Sequence, residues 1–238
     1  MEHSAQRVAL ITGANKGLGL EIARQLGQQG LTVVLGARQD KANAPAAALR
    51  AQGLDTHALM LDVTSAADVA ALPQFFQRTF GRLDILVNNA GVQLDNGLDT
   101  SPDALRQTYE ANVIGPYAIT QALLPLLRQS PAGRVVNQSS ILGSLATISA
   151  GQGGSWATPG YTSSKAALNM LTVVLAQQLA DTPIKVNAAH PGWVKTDLGG
   201  PGALLEVSEG ARTAVRLALL PADGPTGGYF HGEETLPW

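Results

Sequence analysis

Short apolar runs alternate with longer stretches of helical periodicity along the chain. Val8-Ala9-Leu10-Ile11-Thr12 is a continuous apolar run that suits a central parallel strand buried on both faces. Glycines break it at once, and residues 20–29 follow as an amphipathic helix with Ile22, Ala23 and Leu26 on one side. The same alternation predicts strands at 32–35, 56–61, 83–87, 133–137 and 185–188. Helices are expected at 44–51, 66–80, 102–129, 162–180 and 208–219. Pro45 is tolerable only in a first turn, and the segment 102–129 should be interrupted near Asn112-Val113-Ile114-Gly115-Pro116. Residues 227–230 predict a last short strand, with coil from there to Trp238. Strands joined through helices must run parallel, so the pattern predicts an α/β fold with a doubly wound parallel sheet flanked by helices. No repeat, linker or low-complexity stretch divides the chain, which predicts a single domain over 1–238.

Chemistry-bearing residues gather where predicted strands end. Gly13-Ala14-Asn15-Lys16-Gly17-Leu18-Gly19 joins the first strand to the first helix. Strand, glycine turn and helix begin a Rossmann-type dinucleotide-binding unit, in which backbone N–H groups and the helix N-terminus receive a pyrophosphate. The spacing is Gly-x-x-x-Gly-x-Gly rather than the usual Gly-x-Gly-x-x-Gly, so the turn alone does not decide the matter. The second strand ends at Gly36-Ala37-Arg38-Gln39-Asp40. An acidic residue there would bind the ribose hydroxyls of NAD, and a basic one would pair with the 2′-phosphate of NADP. Ala37 stands at the acidic position, Arg38 follows it and Lys16 lies in the glycine turn, which favours NADP; Asp40 is placed past the strand end. Asp62-Val63 closes the third strand, where Asp62 either caps the next helix or meets an adenine edge. Asn88-Asn89-Ala90-Gly91 and Pro191-Gly192-Trp193-Val194-Lys195-Thr196-Asp197 occupy two further strand ends.

Composition narrows the classes. The 238 residues are 45% hydrophobic with a net charge of -2, a balance that makes no case for nucleic acid or an anionic membrane. There is no cysteine, so thiol chemistry, disulfides and zinc-thiolate sites are excluded. His3, His57, His190 and His231 lack metal-ligand spacing, and no metal is expected. Residues 1–7 are polar without a signal-peptide core, and no apolar run approaches the ~20 residues of a membrane span. A cytoplasmic protein is the expectation.

The segment 137–165 carries the candidate reaction centre. Tyr161-Thr162-Ser163-Ser164-Lys165 sets a phenol and an ammonium on one helical face, a turn apart. A phenol with a pKa near ~10 is a poor proton donor or acceptor at neutral pH, and a cation beside it favours the phenolate. A phenol so tuned exchanges a proton with a carbonyl or alcohol oxygen while hydride moves at carbon. Ser140 would offer a hydroxyl to the same oxygen. Tyr-x-x-x-Lys alone is common in helices, and the rest of the chain gives it weight.

Taken together, the motifs resemble the short-chain dehydrogenase/reductase family over nearly the full length. They are Thr12-Gly13-x-x-x-Gly17-x-Gly19, Asp62-Val63, Asn88-Asn89-Ala90-Gly91, Asn112, Ser140, Tyr161-x-x-x-Lys165 and Pro191-Gly192. Within the family the chain is most similar to NADPH-dependent carbonyl reductases. Gly13-Ala14-Asn15-Lys16-Gly17, Ala37-Arg38, the run from His190 to Asp197 and Ala218-Leu219-Leu220-Pro221 carry that likeness, with a weaker echo in Pro237-Trp238.

The resemblance implies an NADP(H)-dependent oxidoreductase that reduces a ketone or aldehyde to an alcohol. Tyr161 would be the proton donor, and Ser140 would polarise the carbonyl. Ser140 is preferred to Ser139 because the second serine of the pair is the catalytic one in the family. Lys165 would hold the nicotinamide ribose, and Asn112 would keep a water in a proton relay. Cofactor contacts are implied for Gly13, Asn15, Lys16, Gly17, Leu18, Gly19, Arg38, Asp62, Val63, Asn89, Ala90 and Gly91. Pro191, Gly192, Val194 and Thr196 complete that set with Tyr161 and Lys165. Two alternatives stay open: an alcohol dehydrogenase working mainly in the oxidative direction, and a non-catalytic NADP(H)-binding sensor.

One departure concerns an insertion near 143–160, which separates Ser140 from Tyr161 by more than the wider family and less than its monomeric carbonyl reductases. Monomer and homo-oligomer both remain open, and the partner is a small carbonyl or alcohol. The insertion is either a lid carrying Trp156 or a surface turn, and a loop near 192–206 should flank the other side of the cleft. Gln93, Leu94, Ile141 and Leu142 are candidates to line it.

Overall fold

The computed structural model describes residues 6–238; His3 and most of the polar lead at 1–7 lie outside them. Its strands are β1 (Val8–Thr12), β2 (Thr32–Ala37), β3 (Thr56–Met60), β4 (Ile85–Asn88), β5 (Arg134–Gln138), β6 (Lys185–Ala189), β7 (Tyr229–His231) and β8 (Glu234–Thr235). The helices are α1 (Gly17–Gln28), α2 (Asn43–Ala51), α3 (Ala66–Thr79), α4 (Pro102–Tyr109), α5 (Gly115–Gln129), α6 (Leu145–Ser149), α7 (Pro159–Gln178), α8 (Val207–Gly210) and α9 (Arg212–Ala218). One sheet orders the strands β3-β2-β1-β4-β5-β6-β7-β8. The order reverses direction on either side of β1, the doubly wound arrangement that opens a crevice at the carboxyl ends of β1 and β4.

Alternation along each strand divides the core. Ile11, Val33, Leu35, Val87 and Val136 pack with Ile22, Ala23, Leu26, Ala214 and Leu217 on one face. Leu10, Val34, Leu86, Val135 and Val186 pack with Leu72, Phe76, Ile119, Leu123 and Ala176 on the other. All five residues of β1 are buried, as expected of a strand covered on both sides. Arg134, fully buried at the start of β5, donates to the carbonyls of Gly133, Pro183, Leu220 and Pro221 and ties the amino-terminal edge to the segment after α9.

Three expectations are corrected. The otherwise parallel sheet ends in an antiparallel edge: β8 pairs antiparallel with β7, because only Gly232 and Glu233 separate them and so short a connection reverses the chain. The tail is therefore a hairpin rather than one strand and coil. The expected interruption of 102–129 is a π-helical turn, Glu110–Ile114, in which the Gly115 N–H donates to the Glu110 carbonyl. Pro116 has no N–H to return to Asn112 in the α register, which favours the wider winding. The helix at 208–219 is divided at Ala211. The helix bearing Tyr161 begins earlier than 162, with Pro159 in its first turn, where a missing N–H costs nothing.

Candidate active site

The glycine turn and the end of β4 are joined by one hydroxyl. Thr12 Oγ1 accepts the N–H groups of Asn89 (3.0 Å) and Ala90 (2.9 Å), and Asn89 Nδ2 donates back to the Thr12 carbonyl at 2.8 Å. Gly13 has φ +64, and a Cβ there would come within 2.9 Å of Ala90 Cα, so this close approach requires glycine. Gly17 also has positive φ (+53) and opens α1, whose first turn no side chain caps. The arrangement leaves free backbone donors and the positive end of a helix dipole facing the crevice.

A buried polar ladder fixes the neighbouring strand ends. Asn88 Nδ2 donates to Thr120 Oγ1 (3.2 Å) and Asn137 Oδ1 (2.9 Å), and Asn137 Nδ2 donates to Thr172 Oγ1 at 2.8 Å. Helix α5, β4, β5 and α7 are thereby cross-linked beneath the reaction centre. Asn112, fully buried in the π turn, accepts the Val92 N–H and donates to the Val92 carbonyl and to Ser164 Oγ. Its side chain is committed to the protein, so a relay water would have to be met by its main chain.

Ser140, Tyr161 and Lys165 converge at the carboxyl end of β5. Ser140 caps a short 3₁₀ turn, Ile141–Gly143, by accepting the Leu142 N–H, and its hydroxyl lies near enough to the Tyr161 phenol to favour loss of that proton. Ser139 points away and donates to Asn169 Oδ1 at 2.6 Å. Lys165 is 4% exposed; its Nζ donates to the Gln138 carbonyl at 2.8 Å and lies 5.5 Å from the Tyr161 ring centroid. Burial pushes the phenol up to about 12, opposed by the nearby Ser140 hydroxyl, and pushes the ammonium down to about 8. Lys165 is not among the groups that shift the phenol in this arrangement: its ammonium donates to the Gln138 carbonyl, and burial, opposed by Ser140, sets the direction.

The remaining sequence-assigned residues ring the same edge. Arg38 is exposed at the end of β2, its guanidinium makes no hydrogen bond or ion pair among the described residues, and its charge helps hold the Asp62 carboxyl below its usual range. That shift comes first from the Thr64 N–H, which Asp62 Oδ1 accepts together with the Thr64 hydroxyl. Ser65, not Asp62, caps α3. Lys16 is not free to wait for a phosphate: it pairs with Asp197 across the crevice, both side chains being exposed. Such a pair in water is weak and readily exchanged. Thr196 lies beside Gly17, a Cβ on which would sit 3.6 Å from the threonine methyl. Asn15, Leu18 and Val63 are half-buried around the turn, Val194 is buried, and Gly91, Pro191 and Gly192 close the circuit at the ends of β4 and β6. A dinucleotide fits this cradle: an uncapped helix N-terminus, positive-φ glycines and an unpaired guanidinium stand where pyrophosphate and an adenosine-side phosphate would meet them.

Across the mouth, Trp156 of the insertion meets Trp193 edge to face, with ring centroids 5.5 Å apart. The insertion is not irregular: it contains α6 and a 3₁₀ turn, Gly154–Trp156. Sequence reasoning assigned no role to His190, whose Nδ1 accepts the Ile141 N–H beside Ser140, or to Asp95. The Asp95 carboxylate accepts the N–H groups of Gly160 and Tyr161. Nothing local to either residue signals these contacts, which cross from one strand end to another.

The comparisons with known proteins agree with this geometry. The family described as short chain dehydrogenase matches residues 7–202. "Short-chain dehydrogenase/reductase 1" of Saponaria officinalis is 36% identical over 98% of this chain and 96% of its own length. "Carbonyl reductase [NADPH] 1" of Oryctolagus cuniculus is 35% identical over 99% of both. The crystal structure of NADPH-bound carbonyl reductase from chicken fatty liver superimposes with a TM-score of 0.86 at 30% identity, covering 98% of this chain and 99% of that one. Motif order, sheet order and the Ser140–Tyr161–Lys165 cluster thus have one common explanation, and the chain belongs to the short-chain dehydrogenases/reductases.

Proposed function

We propose that this protein reduces a ketone or aldehyde to an alcohol with NADPH, Tyr161 donating the proton. One observation carries the reading: the buried Tyr161 phenol, with Lys165 Nζ 5.5 Å from its ring centroid and the Ser140 hydroxyl close by, stands at the mouth of a dinucleotide cradle. NADPH, when bound, supplies the hydride that the carbonyl carbon accepts. Ser140 donates a hydrogen bond to the carbonyl oxygen and orients it. Tyr161 passes its proton to that oxygen as negative charge develops there. Lys165, one turn along α7, would hold the ribose hydroxyls from below. Arg38 would pair with the 2′-phosphate, and the α1 N-terminus would receive the pyrophosphate.

The reductive direction is supported by relatives named as NADPH carbonyl reductases, and the protonated phenol is the form from which reduction begins. A non-catalytic sensor would have no use for Ser140, Tyr161 and Lys165 converging on one point. A cytoplasmic location and a small carbonyl partner are part of this proposal. Replacing Tyr161 with Phe should lower NADPH-dependent turnover by roughly 10²- to 10⁴-fold. NADPH binding, followed by its fluorescence, should persist. Retained turnover would remove Tyr161 from the donor's role.

A further inference from the structure

We propose that Asp95 is a positioning residue for the reaction, setting the height and direction of Tyr161 by clamping the N-terminus of α7. The inference rests on the reading of Tyr161 as proton donor. It starts from the accounting of backbone donors at the helix start. Thr158, the N-cap, provides no side-chain acceptor, and Pro159 has no N–H. The first two amides that need acceptors are those of Gly160 and Tyr161. Asp95 meets both, with Oδ1 2.5 Å from Gly160 N and Oδ2 2.6 Å from Tyr161 N. Both carboxylate oxygens are engaged on consecutive amides, and a carboxylate at this end is also favoured by the helix dipole.

The clamp reaches across the fold. Asp95 lies four residues after Gly91, in the loop that leaves β4 by way of the Asn88-Asn89-Ala90-Gly91 turn. Asn112 pins that loop at Val92 through both the N–H and the carbonyl, and the same asparagine donates to Ser164 of α7. The loop is thus fastened to α7 at two heights, through Ser164 and through the backbone of Tyr161 itself. Gly160 is part of the device, since a Cβ there would lie 2.6 Å from Asp95 Oδ1. Tyr161 must meet Ser140, which is delivered by β5, so the register between α7 and the sheet edge decides whether the two hydroxyls converge. Asp95 ties that register to the strand end that also forms the cofactor cradle.

The test uses Asp95→Asn, Gly160→Ala and the combination of Gly160→Ala with Asp95→Ala in the full chain. Asp95→Asn keeps one acceptor but turns an NH₂ group toward the second amide. Turnover at saturating carbonyl substrate should fall roughly tenfold or more, while KM and the dissociation constant for NADPH change little. Gly160→Ala should reproduce the loss by forcing the carboxylate away. Asp95→Ala should add nothing to it, because both changes break one contact. Unchanged kcat in Asp95→Asn, or multiplicative losses in the combined variant, would overturn the proposal. Hydrogen exchange of the peptide covering 159–165 supplies a readout that needs no substrate. Faster exchange in Asp95→Asn is expected, and unchanged exchange would show that the clamp does not exist. A loosened helix start in a protein whose native form turns over no carbonyl would instead count against the reductase reading.

Discussion

Tyr161 and Lys165 sit one helical turn apart, and burial moves their protons in opposite senses, the phenol's retained to about 12 and the ammonium's lost from about 8. The phenol therefore keeps its proton across the physiological range, and the group that titrates first is the lysine. A lowered lysine loses its charge as pH rises through about 8, and with it, on the proposed reading, its attraction for ribose oxygens. The expected outcome is an alkaline fall in kcat/KM for NADPH with an apparent pKa near 8. Lys165→Arg, whose guanidinium keeps its proton, should remove that fall whatever its absolute rate. A wild-type profile flat until the phenol's own range would mean that Lys165 is not the controlling group. Tyr161 and Lys165 were legible in the sequence through their four-residue interval, whereas Ser140, which shares its strand end with Ser139, was singled out only by the family resemblance. The charge states of Tyr161 and Lys165 were not legible, because desolvation depends on what the rest of the chain packs around them. Asp95 was hidden for a related reason, since its partners are Gly160 and Tyr161, 65 and 66 residues away.

At the level of elements, the strands and helices that bury a stripe or two faces followed from the hydrophobic pattern, with ends displaced by a few residues. The expected break ahead of Pro116 is a π turn, and the differences arise where backbone partners override the pattern: the division at Ala211 and the hairpin made by Gly232 and Glu233. The insertion's structure was not legible, because its small residues show no periodicity and its anchor lies across the cleft. Trp156 and Trp193 remain 49% and 41% exposed, yet they contact each other. An aromatic pair contributes about 0.5–1.5 kcal/mol beyond the area it buries. Trp193→Ala should therefore speed amide exchange across 150–158 by roughly two- to tenfold, although that segment is remote in sequence. Unchanged exchange there would mean that the two sides of the cleft move independently.

Across the whole molecule, the parallel sheet places every candidate residue at one edge. Thr12, Asp62, Asn89, Ser140 and Pro191 stand at or just beyond the ends of β1, β3, β4, β5 and β6, so residues far apart in the chain share one crevice. Alternating strands and helices made that edge predictable, whereas the chemical identity of the carbonyl compound resides in loops whose contacts are set only after folding. The central claim is that this edge moves hydride from NADPH to a carbonyl carbon. The most direct measurement supplies NADPH carrying deuterium at both C4 positions of the nicotinamide to the protein with diketones, aldehydes and cyclic ketones, and analyses the products by mass spectrometry. The account predicts alcohol products carrying one deuterium on the former carbonyl carbon of a ketone or aldehyde. Saturable NADPH binding without deuterium in any reduced product would contradict it and leave a protein that holds the dinucleotide without using it.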